Sequence, residues 1–277
     1  MTAIHIQGLR KSYQGRPAVD GIDLDVANGE IHALLGPNGA GKTTTVEILE
    51  GHRGRDGGDV RVLDTDPARG GRDWRARIGI VLQNAFDGTE LTVGEAVRHF
   101  AGYYPSPRDP GTVIDQVGLT DKARNRLGTL SGGQRRRLDV ALGIIGNPEL
   151  VFLDEPTTGF DPQARRQFWQ LVRMLADQGT TVLLTTHYLE EAEALADRVS
   201  VIVNGRIVAS DTPANLGGRA TAEATVRWHD ATGPHEVRTA TPTSLVHQLG
   251  GAGELAELTV TRPSLEDVYL DLIGDHR

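Results

Sequence analysis

Apolar and polar positions alternate over residues 3–8 (AIHIQG) and 22–26 (IDLDV), the pattern of strands with one buried and one solvated face. They predict an antiparallel sheet near the N-terminus. Denser apolar runs follow at Ile31, Ala33, Leu34 and Leu35, at 78–82, at Leu150–Asp154 and at 181–185. Runs of that length and density predict strands covered on both faces, as in a parallel sheet. Strand signals at 199–203 and 206–210 close the same core. Between residues 83 and 148 strand signals disappear, and segments such as VGEAVRHF and PGTVIDQVGL carry helical spacing. A helical subdomain is therefore predicted over about residues 84–148. Further on, Asp161-Pro162 opens the helix QARRQFWQLVRMLADQ, with Asp at the N-cap and Pro at the first helical position, and Gly179 ends it.

The last quarter of the chain reads as a separate small α+β extension, residues 216–277, entered through the linker GGRATA. ATVRWHD, HEVRTAT and ELTVT predict short strands, and TSLVHQL a helix. The final helix starts with a Ser264/Asp267 capping box and presents Leu265, Val268, Tyr269 and Leu272 on one face. The fold expected is α/β: a mixed core sheet with an antiparallel β subdomain and a helical subdomain over residues 1–215, then the extension.

No apolar run approaches the 18 to 20 residues of a membrane span, and MTAIHIQGLRKS lacks the basic-then-apolar pattern of a secretory signal. The absence of cysteine among the 277 residues excludes disulfides, thiolate zinc sites and a thiol nucleophile. A net charge of −8 argues against a nucleic-acid partner. Of 29 basic residues only three are lysines (Lys11, Lys42, Lys122), leaving 26 arginines, a bias that points to a GC-rich bacterial genome. The densest basic cluster, Arg135–Arg137, reads as a solvated helix face or a contact near bound phosphates.

One of those lysines lies in Gly36-Pro37-Asn38-Gly39-Ala40-Gly41-Lys42-Thr43-Thr44, a G-x-x-x-x-G-K-[ST] sequence between a predicted strand and a helix. Such a loop curls its N–H groups around phosphate oxygens at a helix N-terminus. Lys42 would meet the β- and γ-phosphates, and the Thr43 hydroxyl is a Mg²⁺ ligand candidate. The strand Leu150–Asp154 ends in paired carboxylates. Asp154 suits completion of the Mg²⁺ shell. Glu155, expected to point elsewhere because strand side chains alternate, suits orientation or deprotonation of a water. About ninety residues after the loop comes Leu130-Ser131-Gly132-Gly133-Gln134. Ser131 and Gln134 fit a helix capping box ahead of a stripe of Leu138, Ala141, Leu142 and Ile145.

In this order the motifs resemble those of the ATP-binding subunits of ABC transporters over residues 3–215. The resemblance implies roles for isolated residues. Tyr13, 23 residues before Gly36, takes the place of an aromatic that stacks on adenine. Gln83 matches a glutamine that reaches Mg²⁺ and the γ-phosphate. Asp161 closes a D-loop, with Phe160 where leucine is usual. His187 matches a switch histidine at the γ-phosphate. It further implies that ATP and Mg²⁺ are bound, with catalysis by Glu155, His187, Lys42 and Gln83 and metal contacts from Thr43, Gln83 and Asp154. The LSGGQ of one subunit would cover the ATP of another, so the partners implied are a second copy or a homologous subunit in a head-to-tail dimer. The other implied partner is an integral membrane permease, at the cytoplasmic face of a bacterial membrane. The tail resembles that of daunorubicin-resistance-type exporter subunits, which implies drug, antibiotic or lipid-like export and a regulatory or dimerising role for the extension. A soluble ABC ATPase acting as an assembly scaffold or in a nucleic-acid machine is the alternative.

Overall fold

A computed structural model describes residues 1–81, 90–230, 232–251 and 255–274. Two compact units are present, residues 1–208 and 209–277. The first opens with a long hairpin, β1 (Thr2–Tyr13) and β2 (Arg16–Ala27), turned by Gln14 and Gly15 at positive φ. The alternating runs at 3–8 and 22–26 are the inner parts of these strands. After β3 (Ile31–Leu35) and α1 (Lys42–Leu49) comes β4 (Gly57–Val62), which pairs with the outer side of β1 and completes an antiparallel sheet of order β2-β1-β4. No period in the sequence predicts β4. It is an edge strand in which Gly58, Asp59 and Arg61 face water, and only Val60 and Val62 are buried.

The remaining elements of this unit are α2 (Arg72–Ala76), β5 (Ile78–Val81), α3 (Val93–Ala101), α4 (Pro110–Gln116), α5 (Gly132–Ile144), β6 (Leu150–Asp154), α6 (Pro162–Asp177), β7 (Thr181–Thr186), α7 (Leu189–Leu195), β8 (Arg198–Val203) and β9 (Arg206–Asp211). Between residues 90 and 148 no described residue forms a named strand, as the helical spacing predicts. The core sheet has the order β5-β6-β7-β3-β8-β9, and its β5/β6, β6/β7, β7/β3 and β3/β8 pairs are parallel. Every residue of β3 and β7 is buried, which explains their near-continuous apolar sequences. On one side, α1 packs between this sheet and the antiparallel one. Val46, Ile48 and Leu49 share a cluster with Leu34, Phe152 and Leu183 and with Ile4, Ile6, Val26 and Val60.

Parallel register has a direct functional consequence. Asp154 lies level with Thr185, and Leu35 level with Thr186. The chain therefore leaves β3, β6 and β7 at one edge of the sheet, within two strand spacings, about 10 Å.

The second unit contains β10 (Ala224–Asp230), β11 (Gly233–Thr239), α8 (Pro242–Gly250), β12 (Ala256–Thr261) and α9 (Leu265–Gly274), with antiparallel sheet order β11-β10-β12. Both bonds of the Ser264/Asp267 capping box form, and Leu265 and Val268 are buried as the helical stripe predicts.

Candidate functional site

The loop from Gly36 to Gly41 is shaped by backbone contacts that exclude side chains at its ends. A Cβ at Gly36 would stand 2.4 Å from the Ile202 carbonyl oxygen. At Gly41, φ is 110° and a Cβ would stand 2.3 Å from the Ala18 carbonyl oxygen. Pro37, Asn38 and Gly39 form the accessible tip, whereas Ala40 is buried and its carbonyl accepts from Gly205 N–H at 2.9 Å. Lys42 is only 6% exposed and donates to the carbonyls of Gly36 (2.7 Å) and Pro37 (3.2 Å). Burial pulls its ammonium below the ordinary lysine value, opposed by the charges of Glu155 and Asp154. That opposition places both acids within electrostatic reach of the loop lysine. In the first turn of α1, Thr43 is exposed and Thr44 half-buried.

At the adjacent strand end, Asp154 accepts a hydrogen bond from Thr185 Oγ1. The expectation that strand alternation aims Glu155 needs correction. β6 ends at Asp154, and Glu155 adopts φ 43°, a left-handed conformation uncommon for a non-glycine residue. Its N–H donates to both the carbonyl and the hydroxyl of Thr185, each at 3.1 Å. A turn held from β7 therefore sets its direction. Its Oε1 lies 3.2 Å from Nδ1 of His187, the residue that follows β7. The His187 ring lies against Tyr188 with centroids 4.1 Å apart, and the Arg165 guanidinium covers Tyr188 at 5.0 Å. Lys42, Asp154, Glu155 and His187, from three strand ends, thus share one edge. A half-buried carboxylate against an imidazole is suited to holding a water and taking its proton.

The fit to Mg²⁺ rests on donor chemistry. The Thr43 hydroxyl and the Asp154 carboxylate are hard oxygen donors, and Mg²⁺ is commonly held by one or two such groups with phosphates and waters. Gln83, the third expected ligand, lies outside the described residues.

Ser131 caps α5. Its Oγ accepts from Gln134 N–H at 3.3 Å, and Gln134 Oε1 accepts from Ser131 N–H at 3.0 Å. The capping box predicted from S-x-x-Q is present. Gly132 and Gly133 are another matter. Neither has positive φ, and a Cβ on either would meet nothing within 4 Å. Glycine loses more backbone freedom on folding than any other residue. Among the described residues nothing packs closely enough to require glycine at either position.

The arginine run does not form a uniformly solvated face. Arg136 is 9% exposed and donates to the carbonyls of Pro156 (Nε, 3.0 Å) and Asp154 (Nη2, 2.8 Å). It lies four residues before buried Val140, and that helical spacing is the signal that marks it as inward-facing. Glu50, at the end of α1, is a second residue that motif reading does not pick out. It is 5% exposed, and its carboxyl is pushed up to about 8 by burial, then by the charges of Asp154 and Glu47.

Tyr13 stands at the tip of the β1–β2 hairpin, a strand pair whose Ala18 touches the loop at Gly41. It is 39% exposed, with the Arg53 guanidinium 5.3 Å and Lys11 Nζ 5.7 Å from its ring centroid. Asp161 caps α6, its Oδ1 accepting from Ala164 N–H at 2.7 Å. The unusual Phe160 is buried edge-on against Phe168, centroids 6.0 Å apart, so it fills core volume.

The family description "ABC transporter" matches residues 19–158. A protein of Streptomyces peucetius, "Daunorubicin/doxorubicin resistance ATP-binding protein DrrA", is 40% identical over 98% of this chain and 92% of its own length. The chain belongs to the ABC transporter family, as an ATP-binding subunit. Its fold agrees. A solved "ATP binding subunit of ABC transporter" superposes with a TM-score of 0.73 at 22% identity, covering 98% of this chain and 99% of the other. A dimeric cassette "bound to ADP and Pi" superposes with a TM-score of 0.67 at 22% identity, over 76% and 98%. As an ABC cassette the chain is a nucleotide-binding ATPase coupled to transport. Among the described residues no helix is long and apolar enough to cross a membrane.

Proposed function

We propose that two such chains, or this chain and a homologous subunit, pair head to tail and hydrolyse ATP between them. The adenine stacks on Tyr13. The phosphates lie in the cradle of residues 36–41 at the start of α1, where N–H groups and the helix dipole favour anions. Lys42 leaves its loop carbonyls for the β- and γ-phosphates, at little desolvation cost because it is already buried. Thr43, Thr44, Asp154 and Gln83 provide the Mg²⁺ side of the site. When bound, the ion neutralises charge between the phosphate oxygens.

Glu155 accepts the proton of the attacking water, and His187 fixes the direction of that carboxylate. Ser131, Gly132, Gly133 and Gln134 of the second chain face the γ-phosphate, and Asp161 lies on the loop that leads toward that interface. Positioning and electrostatics supply nearly all of the acceleration in such transfers. The observation that carries this reading is the 3.2 Å Glu155–His187 contact beside the loop lysine.

Closing and reopening of the pair drive a separate integral membrane permease at the cytoplasmic face of a bacterial membrane. The similarity to a daunorubicin/doxorubicin resistance protein along nearly the whole chain supports export of a drug- or antibiotic-like, or lipid-like, molecule. The second unit serves regulation or dimerisation. No nucleic-acid partner enters this scheme.

The test is Glu155→Gln. It removes the base and keeps the size of the side chain, so ATP binding persists while hydrolysis falls by about 10²–10⁴-fold. ATP should then hold the protein as a dimer, measured by light scattering. Hydrolysis at the wild-type rate would remove Glu155 from the mechanism.

A further inference from the structure

We infer that Arg136 is a positioning residue for Glu155, and that it links the two ATP sites of the pair through a single chain. The inference rests on the reading of Glu155 as the base.

The two carbonyls that accept from Arg136 belong to Asp154 and Pro156, the residues on either side of Glu155. From the opposite direction, Thr185 accepts the Glu155 N–H through its carbonyl and its hydroxyl. Three successive residues are therefore fixed from β7 on one side and from α5 on the other. Between these supports Glu155 holds φ 43°. A non-glycine residue in that region is strained and persists only where its surroundings over-determine it. Arg136 supplies the support from the α5 side. The guanidinium meets the two carbonyls through separate nitrogens, Nε and Nη2, held in one rigid plane.

The location of Arg136 gives the contact a second meaning. It lies just over one turn into α5, the helix that begins with Gly132 and Gly133. Those glycines face the ATP held by the partner, whereas Glu155 acts on the ATP held by its own chain. A helix moves as a rigid rod over so short a distance. Any shift of α5 on engaging the partner's γ-phosphate is thus delivered to the carbonyls that flank Glu155. The buried guanidinium is a costly group to keep in place, with Asp139, Asp154 and Glu191 as its nearby counter-charges. A methionine would fill the same volume without that cost.

The experiment compares Arg136→Met and Arg136→Lys, alone and combined with Glu155→Gln, in the full-length chain. At saturating ATP, Arg136→Met should lower kcat by about 10²-fold, the scale of a 1 Å misplacement, with KM for ATP changed far less. Arg136→Lys keeps the charge and a donor nitrogen but not the rigid fork, and should recover part of the rate. In the Glu155→Gln background, Arg136→Met should lower the residual rate no further, because its effect passes through Glu155.

An unchanged kcat in either single variant overturns the proposal. So does a further fall in the Glu155→Gln background by the factor seen without it, which would mark a general structural effect. If Arg136→Met does not fold, the lysine variant decides alone: it should fold and show an intermediate kcat. A fully active Glu155→Gln protein would instead sink the assignment of the base, a result distinct from failure of the link.

Discussion

Glu50 ties the stability of the ATP-binding unit to pH in a direction opposite to that of most carboxylates. The carboxyl is 5% exposed at the end of α1, 3.2 Å from His52 Nδ1. Burial is the main cause of its pKa of about 8, with Asp154 and Glu47 adding like charge. The unfolded chain releases this proton near 4.5, the ordinary glutamate value. Between about pH 4.5 and 8 the folded state therefore holds one proton more than the unfolded state. Stability contributed by this group is fully present below pH 4.5, falls as pH rises toward 8, and is level above that.

The slope for one proton is at most about 1.4 kcal/mol per pH unit. Carboxylates held low by partners, such as Asp66 at about 2 through its Arg55 hydrogen bonds, act in the other direction and are level above pH 5. Replacing Glu50 with Gln keeps the shape and removes the proton. The assay is urea unfolding from pH 5.5 to 8.5, followed by fluorescence of Trp74, which shares a core cluster with Leu49, in a background with Trp169 and Trp228 replaced by Phe. The stability difference between Glu50→Gln and wild type should grow in favour of the variant as pH rises to 8, then level off. A difference independent of pH would refute the reasoning, since Glu50 would then carry no extra proton in the fold.

The glycines give two opposed expectations. Gly41→Ala drives a Cβ to 2.3 Å from the Ala18 carbonyl oxygen at φ 110°; it should destabilise by about 1–3 kcal/mol from backbone strain alone and abolish ATP binding, both measurable by thermal shift with and without nucleotide. Gly132→Ala meets no atom within 4 Å, so it should keep or slightly raise stability, because alanine loses less backbone freedom than glycine, while reducing ATPase turnover. A Gly132→Ala protein that is less stable yet fully active would mean that the glycine serves the fold.

Motifs whose chemistry depends on local sequence are legible in the sequence alone. The loop at Lys42 needs a strand before it, glycines within it and a helix after it, and each is written in consecutive residues. The same holds for the caps at Ser131, Asp161 and Ser264, whose partners lie three residues away. Contacts between distant residues were not legible. Arg136 sits among charged neighbours, and the carbonyls that hold it lie 18 and 20 residues away in sequence. The turn at Glu155 depends on Thr185 in the neighbouring strand. Glu50 follows an apolar helix and looks like an ordinary exposed end; only the packing of two sheets around α1 buries it. β4 escapes because half of it faces water and it begins with two glycines.

The central claim is that the glycine-rich start of α5 in one chain serves the ATP held by another. Mixing two inactive variants tests it most directly. Lys42→Ala damages the phosphate loop, and Ser131→Arg blocks the signature surface. In a mixed pair, one site combines both lesions and the other combines an intact loop with an intact signature. ATPase activity absent from each variant alone should reappear when the two are combined. Continued inactivity of the mixture, with mixed pairs shown to form, would place each signature over the ATP of its own chain and contradict the account.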